Sequence, residues 1–325
     1  MSTTPPQPAP PGDQTVTTKA ENPAEIIPVP AVPDLIDLPT GQELDEVTAM
    51  KLQAARPVRL VVVAGPVGCG KTTLLTSLYE LFQWNPVSGH SFAGSNTLPA
   101  FERRCYLSRI ASERSVPDTE RTPYGQVRYL HLRISREVAS HQELDFLFTD
   151  VSGESFERAR DSTLEAQRLT FLRQADHFLL LLDCEKLARK EKRWEVAHDS
   201  MTLLRSCLDS GMLADNCLLN VLWTKFDYLE GAKSTEHAQF LEQLKSEIEA
   251  EFGSRVGRLT FNEVAARPTQ GTNLKFGHGL PELLKYWSTA SPHEREMNLL
   301  PPTTLGSRES ELFASRHFPT TEKSQ

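Results

Sequence analysis

Val58-Arg59-Leu60-Val61-Val62-Val63-Ala64-Gly65-Pro66-Val67-Gly68-Cys69-Gly70-Lys71-Thr72-Thr73 is the stretch on which the reading of this chain turns. A β-branched apolar run ends in Gly-x-x-x-x-Gly-Lys-Thr, and Leu74-Leu75 opens a helical pattern behind it. Strand, glycine loop and helix in that order are the grammar of a P-loop. The glycines let the backbone turn tightly and aim its amides at phosphate oxygens. The expected phosphate cradle is therefore Gly65, Pro66, Val67, Gly68, Cys69, Gly70, Lys71, Thr72 and Thr73. The helix N-terminus adds a partial positive charge. Lys71 is placed to reach the β- and γ-phosphates, and the Thr72 hydroxyl to ligate Mg²⁺.

Outward from this stretch, composition divides the 325 residues unevenly. Residues 1–50 hold ten prolines and no aromatic residue, with eight acidic side chains against one basic, Lys19. They carry −7 of the chain's net −8, so the acidity belongs to a tail and says nothing about the ligand of the rest. Such a composition buries too little apolar surface to offset chain entropy, and a disordered tail is expected. Its apolar islands Ile26–Pro30 and Asp34–Leu38 are docking candidates or plain linker. Residues 291–325 read the same way, which leaves one domain over 51–290. There is no run of roughly 18 apolar residues, so no membrane span is expected. Five cysteines without C-x-x-C pairing fit a reduced, cytoplasmic setting. The chain has no lysine/arginine block to suggest nucleic acid.

Periodicity predicts strands over about 57–64, 127–134, 144–149, 178–182, 217–223 and 259–264. Helices are expected after the P-loop to about Phe82, and over about 155–174, 190–209, 236–252 and 281–289. Residues 85–117 look like an insertion, with one helical piece from Leu98. Val127–Ile134 alternates polar and apolar residues as a half-exposed edge strand does, and a short turn at His141 makes it antiparallel to the next strand. The expected fold is α/β: a P-loop NTPase with a doubly wound, mostly parallel six-stranded sheet, one antiparallel edge strand, and helices on both faces.

Further stations lie at the C-terminal ends of these strands, where an open α/β sheet binds ligands. Asp150-Val151-Ser152-Gly153 follows one: Asp150 is placed to hold Mg²⁺, usually through water, and the Gly153 amide to sense the γ-phosphate. Thr224-Lys225-Phe226-Asp227 follows another. A carboxylate at Asp227 accepts from N1–H and the amine of guanine, which adenine lacks, and the Lys225 stem covers the base. A helix N-cap is the plainer role for Asp227. Ala265-Ala266 stands where a backbone amide would meet the guanine O6. A threonine ahead of the edge strand, Thr119 or Thr122, would complete metal coordination when a γ-phosphate is present; Thr122, beside Pro123, is favoured over Thr119.

These stations, in this order, resemble the TRAFAC class of P-loop GTPases with a Ras-like core. Thr224-Lys225-Phe226-Asp227 resembles the Thr-Lys-x-Asp of Rho-type members. More narrowly, Phe92–Glu102, Arg121-Thr122-Pro123 and Asp150–Glu154 look like the bacterial double-GTPase family, type 2. That resemblance implies GTP/GDP and Mg²⁺ as ligands and a second GTPase as protein partner in a conflict or defence system. It implies catalytic roles for Lys71, Thr122 and Glu154. Two departures bear on rate. Glu154 stands where Ras-like proteins keep the glutamine that orients water. Val67 stands where they keep a glycine that admits a partner's arginine. Slow hydrolysis is expected, with Arg114, Arg121, Arg158 and Arg160 as candidates for charge in cis. The alternatives are a nucleotide-binding scaffold that does not turn over and, further off, a P-loop ATPase or kinase.

Overall fold

The P-loop strand lies at the centre of a seven-stranded sheet. The computed structural model describes residues 40–108, 125–136, 143–230 and 235–289. The chain runs α1 (Glu46–Ala55), β1 (Val58–Ala64), α2 (Lys71–Trp84), β2 (His90–Gly94), α3 (Leu98–Ser108), β3 (Arg128–Arg136) and β4 (Glu143–Asp150). It continues through α4 (Gly153–Asp161), α5 (Thr163–Gln167), a 3₁₀ turn (Thr170–Gln174), β5 (His177–Asp183), α6 (Cys184–Leu187) and α7 (Arg193–Asp209). Last come β6 (Leu218–Thr224), α8 (Asp227–Glu230), α9 (Thr235–Phe252), β7 (Arg258–Val264) and α10 (Leu280–Thr289). The sheet order is β2-β3-β4-β1-β5-β6-β7. β1 pairs parallel with β4 and β5, and β6 with β5 and β7, whereas β3 is antiparallel to both β2 and β4.

The two faces carry separate cores. One packs α2, α3 and α10 against the sheet through Leu75, Leu78, Phe101, Leu284 and Trp287. The other packs α1, α4, α7 and α9 through Leu52, Phe156, Leu204, Leu244 and Ile248. Every residue of β5 and β6 is buried, as in a parallel sheet covered on both sides. α10 shows how the pattern becomes structure: Leu280, Leu283, Leu284 and Trp287 recur at helical spacing and all four are buried.

The expected α/β class stands, but four expectations need correction. The sheet has seven strands, not six, because β2 forms inside the stretch read as an insertion. β3 is therefore not the edge. Phe92 and His90 of β2 pair with Ile134 and Arg136, and Leu44 bridges Tyr129 at the other end of β3. Its polar residues are not simply solvated: His131 is buried and Arg133 half-buried, and His131 Nε2 bonds Asp145 Oδ1 at 2.7 Å while Arg133 Nε donates to the same oxygen at 2.9 Å. Third, the domain starts before residue 51. Asp45 Oδ1 accepts from the Thr48 amide at 2.8 Å and caps α1, five residues inside the stretch composition placed in the tail. The helix read over 155–174 is broken twice, at the extended residue Ser162 between α4 and α5 and at Leu169 ahead of the 3₁₀ turn. Residues 1–39 and 290–325, with both apolar islands, lie outside the described residues, as do the turn at His141 and residues 109–124.

Candidate functional site

β1 delivers the chain to the phosphate loop, and α2 leaves it at Lys71 after Gly70, whose φ of 99° suits a residue without Cβ. Lys71 Nζ donates to the Gly65 carbonyl at 2.8 Å and the Pro66 carbonyl at 3.0 Å, which holds its charge over the loop. Thr72 and Thr73 fall in the first turn of α2. Cys69 is buried, and burial pushes its thiol above the ordinary cysteine range, so it packs rather than reacts. The Thr224 hydroxyl lies 2.8 Å from the Cys69 carbonyl and 3.0 Å from the Leu182 carbonyl, sharing one proton between them. The end of β6 is thus tied directly to the phosphate loop and to β5.

The Asp150–Gly153 station arrives beside the same loop. The Thr149 hydroxyl accepts from the Val63 amide at 3.0 Å and pins the end of β4 to the end of β1. A Cβ on Gly153 would lie 2.4 Å from the Val67 nitrogen, so only glycine allows this approach. Glu154, on the first turn of α4, is exposed. The carboxylate that reaches the loop is Glu157, one turn on, whose Oε1 accepts from the Val67 amide at 3.1 Å. Sequence reading did not single out Glu157; only the helical spacing from Glu154 hinted at it. Of the arginines considered for charge in cis, Arg160 is paired with Asp161 and with Asp199 at 2.6 Å. Arg158 is exposed, and Arg114 and Arg121 lie outside the described residues. So do Thr119 and Thr122.

On the base side, Lys225 sits at φ 54°, unusual for a residue with a side chain. Its Nζ donates to Asp183 Oδ2 and Glu185 Oε2, both at 2.9 Å. Burial opposes the lysine's charge, but the two carboxylates outweigh it and hold its pKa above the usual range. Asp227 is buried at 3% exposure, and its Oδ2 accepts from the Thr269 amide and hydroxyl, both at 3.0 Å. The Ala265 amide is committed to the His278 carbonyl at 3.1 Å. The Ala265-Ala266 expectation thereby narrows to Ala266, whose carbonyl accepts from Gly277 at 3.1 Å. Asp183 and Thr269 were missed as site residues: Asp183 read only as a strand end, and Thr269 lies in a loop without a pattern.

Asp150 is not left open at the strand end. Asp150 and Arg104 of α3 are each 4% exposed, and an Arg104 guanidinium nitrogen pairs with Asp150 Oδ2. The other terminal nitrogen pairs with Glu43 Oε1. Nothing in the sequence pointed to Arg104. Thr72 and Asp150 are hard oxygen donors of the type Mg²⁺ takes when phosphates and waters complete its shell. Among the described residues there is no group of three His, Cys, Asp or Glu side chains that would cage a metal alone. The donor set fits a nucleotide-bound Mg²⁺, and a cation already faces Asp150. A cleft of about 260 Å³ flanks the loop at Pro66, lined by Phe156, Glu157, Arg160, Asp183 and Asp199, and does not include Lys71 or Asp227.

No curated protein sequence matches the chain. Three solved structures are similar at low identity. The signal recognition particle receptor SRb-GTP/SRX complex from Chaetomium thermophilum is 17% identical, over 71% of this chain and 96% of that one, at a TM-score of 0.38. The GTPase-like domain of S. cerevisiae Ski7, bound to GDP and inorganic phosphate, is 14% identical over 74% and 53%, at 0.42. Elongation factor SelB from Methanococcus maripaludis, in complex with the GTP analogue GPPNHP, is 14% identical over 72% and 34%, at 0.35. This chain thus spans about half of the Ski7 chain and a third of the SelB chain. The family comparison carries more weight, because the double-GTPase 2 model matches residues 59–288, from β1 into α10 and through every station described above. The chain is a GTP-binding, GTPase-like domain that belongs to the double-GTPase 2 family.

Proposed function

We propose that this protein is a Mg²⁺-dependent GTP-binding switch that hydrolyses GTP slowly and acts with a protein partner. The observation that carries the reading is Asp227, buried and oriented by two bonds from Thr269 on a β6 end that Thr224 ties to the phosphate loop. Residues read as recognising the base would thereby be linked to the phosphate loop through Thr224. Lys71 would leave its loop carbonyls to offset charge on the β- and γ-phosphates. Thr72 and Asp150 would hold Mg²⁺, Asp150 usually through water; bound there, the metal neutralises charge on the phosphates. Gly153, against Val67, would report the γ-phosphate through its amide. Thr122 completes the reading as the switch threonine.

Three features support slow chemistry. Glu154 is exposed on the first turn of α4. Val67 fills the loop position against Gly153. Arg160 is held by Asp161 and Asp199. A second GTPase as partner, in a bacterial conflict or defence system, rests on the family resemblance alone. Five buried cysteines, none in a disulfide, agree with a reducing, cytoplasmic setting. Among the described residues no helix is long and apolar enough to cross a membrane.

A scaffold that binds GTP without turnover is the second reading, favoured by the exposed Glu154. Single-turnover phosphate release from γ-labelled GTP separates the two. The switch reading expects slow release that Lys71→Ala abolishes. No release above buffer from the wild-type protein would leave the scaffold.

A further inference from the structure

The pairing of Asp150 with Arg104 asks for an account, because Asp150 stands at the metal side of the site. Both side chains are buried, and the guanidinium spans two carboxylates on different elements, Asp150 at the end of β4 and Glu43 ahead of α1. Arg104 Nε is also buried and has no hydrogen-bond partner among the described residues. Both contacts of the guanidinium are thus made by its terminal nitrogens. Its neighbour Arg103 donates to Gln42 Oε1 at 2.6 Å and Glu43 Oε1 at 2.5 Å, so α3 grips residues 42 and 43 with two arginines. One residue further on, Leu44 exchanges two 3.0 Å backbone bonds with Tyr129 of β3, and β3 pairs Arg128 with Asp150 itself.

We propose that Arg104 is a positioning residue that sets metal access to Asp150: it serves as the carboxylate's counter-cation until Mg²⁺ and nucleotide displace it, and Glu43 passes the displacement to residues 42–45. The inference rests on the magnesium-dependent reading above. The physical ground is charge. The Arg104 guanidinium is a cation set against Asp150, and Arg103 and Arg104 both face Glu43. A divalent cation at Asp150 places like charge against a buried guanidinium, where solvent screens poorly. The guanidinium then leaves Asp150, and Glu43 is its remaining carboxylate among these four. Movement of Arg104 pulls on the α3 grip and on the Leu44 bridge, which places the readout of loading at the N-terminal edge of the domain.

The test uses the full chain and a fluorescent N-methylanthraniloyl GTP analogue, titrating Mg²⁺ at fixed nucleotide. Arg104→Gln should lower the Mg²⁺ concentration for half-saturation about tenfold, within the usual range of coupling between sites. Hydrogen exchange supplies the second readout. In the wild-type protein the Leu44 amide should exchange faster after loading with Mg²⁺ and nucleotide; in Glu43→Gln it should be fast before loading and unchanged by it. If Arg104→Gln does not fold, the Glu43→Gln exchange measurement still decides. An unchanged or raised Mg²⁺ requirement in a folded Arg104→Gln, or Leu44 protection indifferent to loading in the wild type, overturns this inference alone. Nucleotide binding by the wild-type protein that ignores Mg²⁺ overturns the magnesium reading beneath it.

Discussion

At the scale of single residues, the site depends on a few contacts that allow no substitution. Gly153 meets the phosphate loop backbone, where a Cβ would stand 2.4 Å from the Val67 nitrogen. Backbone on both sides cannot yield cheaply, so Gly153→Ala should cost about 1–3 kcal/mol in urea unfolding. It should also weaken GTP binding, because the displaced part is the phosphate loop. Thr269 acts more gently. Its hydroxyl gives Asp227 one of two bonds, the amide giving the other. Thr269→Val keeps the amide and the shape, so it should lower GTP affinity by about tenfold, the equivalent of one bond of about 1.4 kcal/mol. Calorimetric titration measures this, and unchanged affinity would mean that the hydroxyl does not orient Asp227. The placement of Lys71, Thr72, Asp150, Gly153 and Asp227 at strand ends or beside the phosphate loop was legible, because each sits at a fixed spacing behind an apolar strand. Thr269, Glu157 and Arg104 were not. They reach the site across 42, 90 and 46 residues of sequence, and short-range pattern carries no information about such contacts.

At the scale of elements, β3 shows how an alternating pattern can mislead. Alternation usually marks one wet face, yet His131 is 1% exposed and Asp145 5%. The polar face is satisfied internally: Asp145 takes bonds from His131 and Arg133, and His131 Nδ1 accepts from the Asn96 amide at 2.9 Å. That ties β2's loop, β3 and β4 together, and it is the contact the sequence could not display. Burial alone would raise the Asp145 pKa, but bonds from His131 and Arg133 hold it below the ordinary aspartate range. A lowered folded value means stability that is present above the unfolded value, about 3.9, and lost as pH falls through the folded one. Asp145→Asn should therefore cost about 2–4 kcal/mol near neutrality, since it leaves buried His131 without its carboxylate and Arg133 with Glu143 at 3.5 Å. The deficit should shrink below about pH 4. Urea unfolding of both proteins across pH checks this; a pH-independent difference would contradict it. α1 was hidden for another reason. Its ten residues carry a weak apolar stripe and follow a proline-rich stretch, so composition outvoted the Asp45 cap.

At the scale of the whole molecule, the parallel arrangement of β4, β1, β5, β6 and β7 does most of the assembling. It brings the C-terminal ends of these strands to one edge, so stations far apart in sequence share one site. This is why the order of motifs was enough to anticipate an α/β P-loop architecture and the family. The same logic fails for β2 and α3, which join at the antiparallel side and bring Arg104 to Asp150 from outside the motif series. Selection of guanine through Asp227 is the property that the whole assembly is proposed to deliver. Its most direct test is calorimetric titration of the full chain with GTP and with ATP in Mg²⁺, repeated on Asp227→Asn with xanthosine triphosphate. GTP should bind at least about 100-fold tighter than ATP, with the variant losing GTP and gaining the xanthine nucleotide. Equal affinity for GTP and ATP in the wild-type protein would contradict it.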